Sequence, residues 1–222
     1  MARTIAIGDI HGCGIALRRL LESIEVTRDD KIVTLGDYVD RGMGSSHVIE
    51  TLIGLVSECH LVPLIGNHEI MMFKGMQNGG KDLDFWMTHG GQATIASYGG
   101  RLQNIPQDHL TFLSHCLRFH EEENHFFMHA CYDPDLPLNE QPDEVVFWQH
   151  VNEYPPRRHF SGKTAIVGHT PQMDGEPLDL GHLKVLDTFC YGDQWLTALD
   201  VNSGKIWQSN EKGEVRDDQL VE

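Results

Sequence analysis

Two rhythms of apolar residues alternate along the N-terminal part of the chain. Short, nearly continuous apolar runs at Thr4–Ile7, Lys31–Leu35 and Leu61–Ile65 read as strands buried on both faces. Between them the apolar positions fall at helical spacing. Leu17, Leu20, Leu21 and Ile24 predict a helix over about Ile15–Ile24, and Val48, Leu52, Leu55 and Val56 predict one over Ser45–Glu58, with serines to cap it. Strand, helix and strand in this order imply a parallel sheet with right-handed crossovers. From Ile70 to roughly Arg118 the pattern turns helical and less regular, with breaks at Gly79-Gly80 and Gly90-Gly91, and is expected to form a helical insertion (about 70–118) beside a cleft. Both glycine pairs read as turns, the first as a place where backbone could approach the cleft. Strands resume at Phe126–Met128 and Thr164–Val167. Leu183–Leu186, Leu196–Val201 and Lys205–Gln208 then read as antiparallel pairs, with Asn202-Ser203-Gly204 as a hairpin turn. The charged tail from about Glu211 is expected to be frayed or solvated. No repeat or linker interrupts the chain, so one α/β domain over 1–222 is expected.

Composition narrows the class. A chain of 222 residues with 40% hydrophobic and 23% charged positions can bury a sizeable core. It shows no signal-peptide pattern and no apolar run long enough to span a membrane. Five scattered cysteines without CxxC spacing fit free thiols in a reducing cytoplasm. The formal charge of −16, with Lys and Arg totalling 17, argues against a nucleic-acid partner. The same charge repels a phosphorylated substrate at long range. Phosphate chemistry would need a local focus of positive charge from metal ions and a few arginines.

That focus is suggested by five stretches, each placed where a predicted strand stops. They are Gly8-Asp9-Ile10-His11-Gly12, Gly36-Asp37-Tyr38-Val39-Asp40-Arg41-Gly42, Gly66-Asn67-His68-Glu69, His129-Ala130 and Gly168-His169-Thr170. Asp9 and His11 are two apart, so in an extended segment both leave on one face. Asp37 can bridge two cations. Asn67 and His68 diverge, one toward metal and the other toward substrate. The count is Asp9, His11 and Asp37 for one ion, and Asp37, Asn67, His129 and His169 for the other. Carboxylate, amide and imidazole ligands without thiolate favour Mn, Fe or Zn, with Mn the first expectation. A two-metal clamp suits in-line phosphoryl transfer to water. Arg41 could fork onto phosphate oxygens. His68 can be the general acid, its other ring nitrogen held by Asp40. Glu69 reads as a structural hydrogen-bond partner and Asp187 as cleft support.

These motifs together resemble the PPP-type, calcineurin-like metallophosphatases in their small bacterial and phage version, from about Ile5 to Asp187. The resemblance implies a β-sandwich of two sheets flanked by helices, with a dinuclear metal centre at the strand ends. It implies the same ligand set, with Arg41 as phosphate clamp and His68, assisted by Asp40, as acid. One place departs from the pattern. Where such proteins often carry a second arginine shortly after a tryptophan, this chain reads Phe147-Trp148-Gln149-His150, then Arg157-Arg158. His150, Arg157 and Arg158 are therefore the candidates for a second phosphate contact.

Three functions fit this constellation. The first is a phosphoprotein phosphatase acting on Ser/Thr and also Tyr. The second is a dinucleoside-polyphosphate hydrolase of the Ap4A type, whose members typically read VARG and GNHD where this chain has Asp40 and Glu69. The third is an inactive scaffold, which should have lost ligands, and none is missing. The expectation is the phosphatase, taking a phosphoprotein or small phosphoester, with no nucleic-acid or membrane partner.

Overall fold

Along β1 (Thr4–Ile7), Ile5 and Ile7 face a layer of helices while Ala6 faces a second sheet, and all three are fully buried. The same two-faced burial runs through a structure of two sheets. It is a computed structural model describing residues 2–152 and 155–220. In the first sheet β1 pairs in parallel with β2 (Lys31–Thr34), and β2 with β3 (His60–Pro63). On the other side of β1 lie β9 (Leu196–Asp200), β10 (Lys205–Ser209) and β11 (Val215–Gln219), each antiparallel to its neighbour. The second sheet has the order β4 (Phe119–Glu121), β5 (His125–Met128), β6 (Thr164–Val167), β8 (Leu183–Val185) and β7 (Leu178–Asp179). Ala6, Val33, Leu64, Phe127, Ile166 and Leu199 form the core between the sheets.

Helices cover both outer faces. The crossovers α1 (Gly14–Ile24) and α2 (Ser45–Leu55) bury Leu17, Leu20, Val48 and Leu52 against Ile5, Ile7 and Ile32. The predicted insertion is helical and starts earlier than expected, at the motif itself. It comprises α3 (Asn67–Asn78), α4 (Gly80–Trp86), a turn at Met87–Gly91 kinked at Gly90, α5 (Gln92–Ser97) and α6 (Gln107–Ser114). Over the second sheet, α7 (Asp143–Trp148) packs Val146 and Phe147 on Phe126, Ala165 and Val185. No helix among the described residues is long and apolar enough to cross a membrane.

Four expectations change. Leu183–Val185 pairs in parallel with β6 in the second sheet, not with the 196–209 hairpin, because a three-residue alternation of apolar and polar positions fixes the buried face but not the partner. The tail is not frayed over Val215–Gln219. It adds a fully exposed strand to β10, held by main-chain hydrogen bonds that need no apolar side chains. The second helix stops at Leu55, which leaves Val56 59% exposed rather than in the buried stripe. The glycine pairs also exchange roles: Gly79 and Gly80 face open space, whereas Gly90 and Gly91 are the close contacts described below.

Candidate metal centre

The loops that leave β1, β2, β3, β5 and β6 meet at one edge of the two sheets, beyond the carboxyl ends of the parallel strands, where open α/β sheets place ligands. Backbone hydrogen bonds lock the first two loops together. Ile10 and His11 both donate N–H to the Asp37 carbonyl, at 3.1 and 2.7 Å, and Gly42 donates to the His11 carbonyl at 2.9 Å. Glu69 closes the frame from the first turn of α3. Its carboxylate accepts N–H bonds from Asp37, Tyr38, Val39 and Gly66 at 2.8–3.2 Å. That is the structural role expected of it.

Five site residues pay a conformational penalty to reach this arrangement. His11, Asp37, Asp40, Arg41 and His169 all have positive φ, from 46° to 73°. Each left-handed non-glycine residue costs of order 1–3 kcal/mol and persists only where the surroundings over-determine it. The turn at His11 also overturns one derivation. The segment Asp9–His11 is not extended, so the two side chains do not share a face by strand alternation.

Two triplets of donor atoms share Asp37. His11, Asp37 and His68 bring one ligand atom each within 4.8 Å of one another, and so do Asp37, His129 and His169. Asn67 joins the second group, its Oδ1 standing 2.9 Å from His129 Nε2 and 3.2 Å from His169 Nδ1. Asp9 lies outside both triplets. Both its oxygens accept the His169 backbone N–H at 3.0 Å.

The chemistry of these donors fits cations. His129 Nδ1 donates to the Leu35 carbonyl at 2.8 Å, so in the neutral ring Nε2 carries a lone pair. That lone pair faces Asn67 Oδ1, itself an acceptor, and Asp37 Oδ1 at 3.5 Å. His11 repeats the pattern, with Nδ1 on the Val39 carbonyl at 2.9 Å and Nε2 facing Asp37 Oδ2 at 3.4 Å. Burial holds all three imidazoles in the neutral form by pulling His11 and His129 down and His169 to about 3. Converging lone pairs repel one another unless a cation lies between them.

Charge leads to the same conclusion. Asp9, Asp37, Asp40, Glu69 and Asp187 are each at most 3% exposed, with Arg41 as the nearby guanidinium. Burial, then the charges of Asp187 and Asp37, pushes the Asp9 carboxyl up. Burial pushes Asp187 up to about 7, and its Oδ2 has no hydrogen-bond partner among the described residues. Divalent ions would relieve this excess of buried negative charge.

Beside the donors sit His68 and Arg41, the residues expected to act as proton donor and clamp. His68 Nδ1 meets Asp40 Oδ2 at 2.7 Å. Burial alone would lower the His68 pKa, but the carboxylates of Asp37 and Asp40 outweigh it and raise it. Asp40 is itself fixed by the Trp86 indole N–H, at 3.0 and 2.9 Å, and by the Thr94 hydroxyl at 2.6 Å. Arg41 Nη2 donates to His68 Nε2 at 3.1 Å, so acid and clamp meet at one point.

Of the candidates for a second phosphate contact, His150 alone stands against the site, its ring 4.7 Å from that of His169. The Arg157 guanidinium is paired with Asp135, and Arg158 donates to the Gly162 carbonyl at 3.0 Å. Sequence reasoning missed Trp86 and Thr94, and it missed Tyr191. The Tyr191 ring lies 4.3 Å from the Arg41 guanidinium and edge-on to His11 at 4.9 Å. The legible trace of Trp86 was the glycine pair beyond it. A Cβ on Gly90 would sit 2.8 Å from Arg41 N, and one on Gly91 would sit 2.7 Å from the Trp86 ring.

Comparison with known proteins agrees with this geometry. The model of the calcineurin-like phosphoesterase family matches residues 2–194. The chain is 27% identical to the asymmetrical bis(5'-nucleosyl)-tetraphosphatase PrpE of Anoxybacillus flavithermus, over 87% of this chain and 88% of that one. It is 32% identical to the symmetrical bis(5'-nucleosyl)-tetraphosphatase of Salmonella paratyphi B, over 77% of this chain but 45% of that longer one. A solved structure offered as a candidate diadenosine tetraphosphatase shares the fold, with a TM-score of 0.68 at 22% identity, covering 98% of this chain and 93% of that one.

Proposed function

This chain belongs to the calcineurin-like phosphoesterases, hydrolases that use divalent metals, and within that family we propose that it cleaves the phosphoanhydride chain of dinucleoside polyphosphates. The relatives named above support this reading over a phosphoprotein phosphatase, one of them along almost its whole length. The observation that carries the chemistry is that Asp37 stands between two groups of donors, His11 on one side and Asn67, His129 and His169 on the other.

Asp40 and Glu69 do not argue against it, although their place in the sequence suggested a protein phosphatase. Neither is exposed: Glu69 caps backbone N–H groups, and Asp40 is surrounded by His68, Trp86 and Thr94. They organise the site without touching substrate, so their identity does not select it.

His11 and Asp37, joined by Asp9 if its carboxylate turns from the His169 backbone N–H, and Asp37, Asn67, His129 and His169, would hold two divalent cations, with manganese the first expectation. Bound there, the cations would neutralise phosphoryl oxygens and acidify the attacking water. The protein's own groups do the rest. Arg41 directs its N–H groups at the non-bridging oxygens and gains as charge gathers on the transferring phosphoryl group. In its imidazolium form, which gives up the contact with Arg41, His68 delivers the Nε2 proton to the departing oxygen, and Asp40 fixes the ring through Nδ1. His150 lines the approach beside His169.

The test is a panel of diadenosine tetraphosphate, phosphoserine, phosphothreonine and phosphotyrosine peptides and p-nitrophenyl phosphate, each with Mn, Mg, Zn or no metal. The expected result is a kcat/KM for diadenosine tetraphosphate well above that for every peptide, in the presence of metal only. A phosphopeptide preferred over the dinucleotide overturns the proposal. Product analysis, two ADP against AMP with ATP, then defines the bond that is cut.

A further inference from the structure

The segment from Phe85 to Gly91 is fastened to the phosphate clamp at both ends. Trp86 is fully buried with its N–H on both Asp40 oxygens, and the Gly90 carbonyl accepts the Arg41 backbone N–H at 3.3 Å. Between these anchors two short helices meet at a kink, where Gly90 takes a non-helical φ of 107°. Beside the kink, Phe85 and His89 present two rings tilted against one another. Phe85 is 48% exposed and His89 is exposed, with ring centroids 4.3 Å apart and planes at 42°. The His89 ring is held in place, because Nδ1 donates to the Phe85 carbonyl at 2.7 Å. The fold makes no use of this pair. It is a preformed aromatic surface one residue from the glycine that touches Arg41.

Resting on the nucleotide-anhydride reading of the substrate, we propose that Phe85 and His89 form the platform on which one nucleobase of the substrate stacks while its phosphates reach Arg41. Electrostatics selects that part of the ligand. Lys81, Asp82 and Asp84 are exposed on the same helix, and their net negative charge disfavours a phosphate chain more than a neutral base. Stacking on an aromatic ring needs no base-specific hydrogen bond, so the platform accepts adenine and guanine alike.

The test compares AMP with ribose 5-phosphate as inhibitors of p-nitrophenyl phosphate turnover by the metal-loaded protein. The two ligands differ only in the base, so the ratio of their inhibition constants isolates what the base contributes. Wild type should favour AMP by about tenfold, the size of one stacked base. In Phe85→Ala with His89→Ala the ratio should fall toward one, and Phe85→Tyr should retain it. An unchanged ratio in the double variant, or a wild-type ratio of one, overturns the platform. Should wild type fail to cleave diadenosine tetraphosphate while the ratio still collapses in the double variant, the platform stands and the anhydride reading falls.

Discussion

Asp40 never reaches the cleft, so its effect on turnover must pass through the groups it holds, His68 first among them. Asp40→Asn keeps the shape of the side chain and removes the charge that faces His68 Nδ1 at 2.7 Å. A hydrogen bond to a charged partner contributes about 1.5–3 kcal/mol, against roughly half that for a neutral one. If the difference of about 1–2 kcal/mol appears in the barrier, kcat should fall by about 5- to 30-fold. His68→Asn removes the proton donor itself and should cost about 10²–10⁴. The two losses should not add: the double variant should resemble His68→Asn. Leaving-group basicity provides an independent reading. Both losses should be large for an alkyl phosphate and small for p-nitrophenyl phosphate. They should also be small for diadenosine tetraphosphate, whose phosphate leaving group needs little protonation. Steady-state kinetics on the three substrates, with metal content and thermal unfolding checked for each variant, decides the matter. Additive losses, or equal losses on alkyl and aryl esters, would refute the assignment of His68 as acid and Asp40 as its positioning partner.

Three other outcomes are expected. Asp37→Ala removes the carboxylate common to both donor groups and should abolish turnover and the binding of both ions; elemental analysis showing two metals per chain in this variant would contradict the shared bridge. Gly90→Ala places a Cβ 2.8 Å from Arg41 N at a φ of 107°, so it should destabilise by about 1–3 kcal/mol and raise KM, readable by urea unfolding and kinetics, whereas wild-type KM would show that Arg41 does not depend on this contact. Asp30, whose carboxyl is held below the ordinary range by its hydrogen bonds from Arg3, contributes stability that is fully present above the unfolded carboxylate pKa of about 3.9. That stability is lost as pH falls through the lowered folded value, so Asp30→Asn should cost about 2 kcal/mol at pH 7 and the gap to wild type should narrow below pH ~4.

The resemblance carried by five motifs was legible because each motif combines a strand stop with a chemically distinctive pair of residues. Strand and helix rhythm placed β1, β2, β3, α1 and α2 for a similar reason: a helix stripe and a doubly buried strand leave different apolar periods. Partner choice was not legible. Leu183–Val185 and Val215–Gln219 joined strands that their own residues could not name, the first because a three-residue alternation marks a face and not a partner, and the second because it has no buried apolar face and is held by main-chain bonds and exposed polar side chains. The roles within the site divided in the same way. The chain alone offered Asp9, His11, Asp37, Asn67, His68, His129, His169 and Arg41 as candidates, since carboxylate, amide, imidazole and guanidinium at strand ends have few other uses.

Only the folded chain turned Asp9 toward the His169 backbone, paired Arg157 with Asp135 and left His150 beside the site. It also brought Trp86, Thr94 and Tyr191 onto Asp40 and Arg41 from distant segments. The physical reason is that ligand chemistry is a property of individual residues, whereas backbone reversal at His11, Asp37, Asp40, Arg41 and His169 is sustained by the contacts around it. Local sequence determined which atoms could bind metal and phosphate. Tertiary packing, by holding five residues in a conformation none would choose alone, decided where those atoms point.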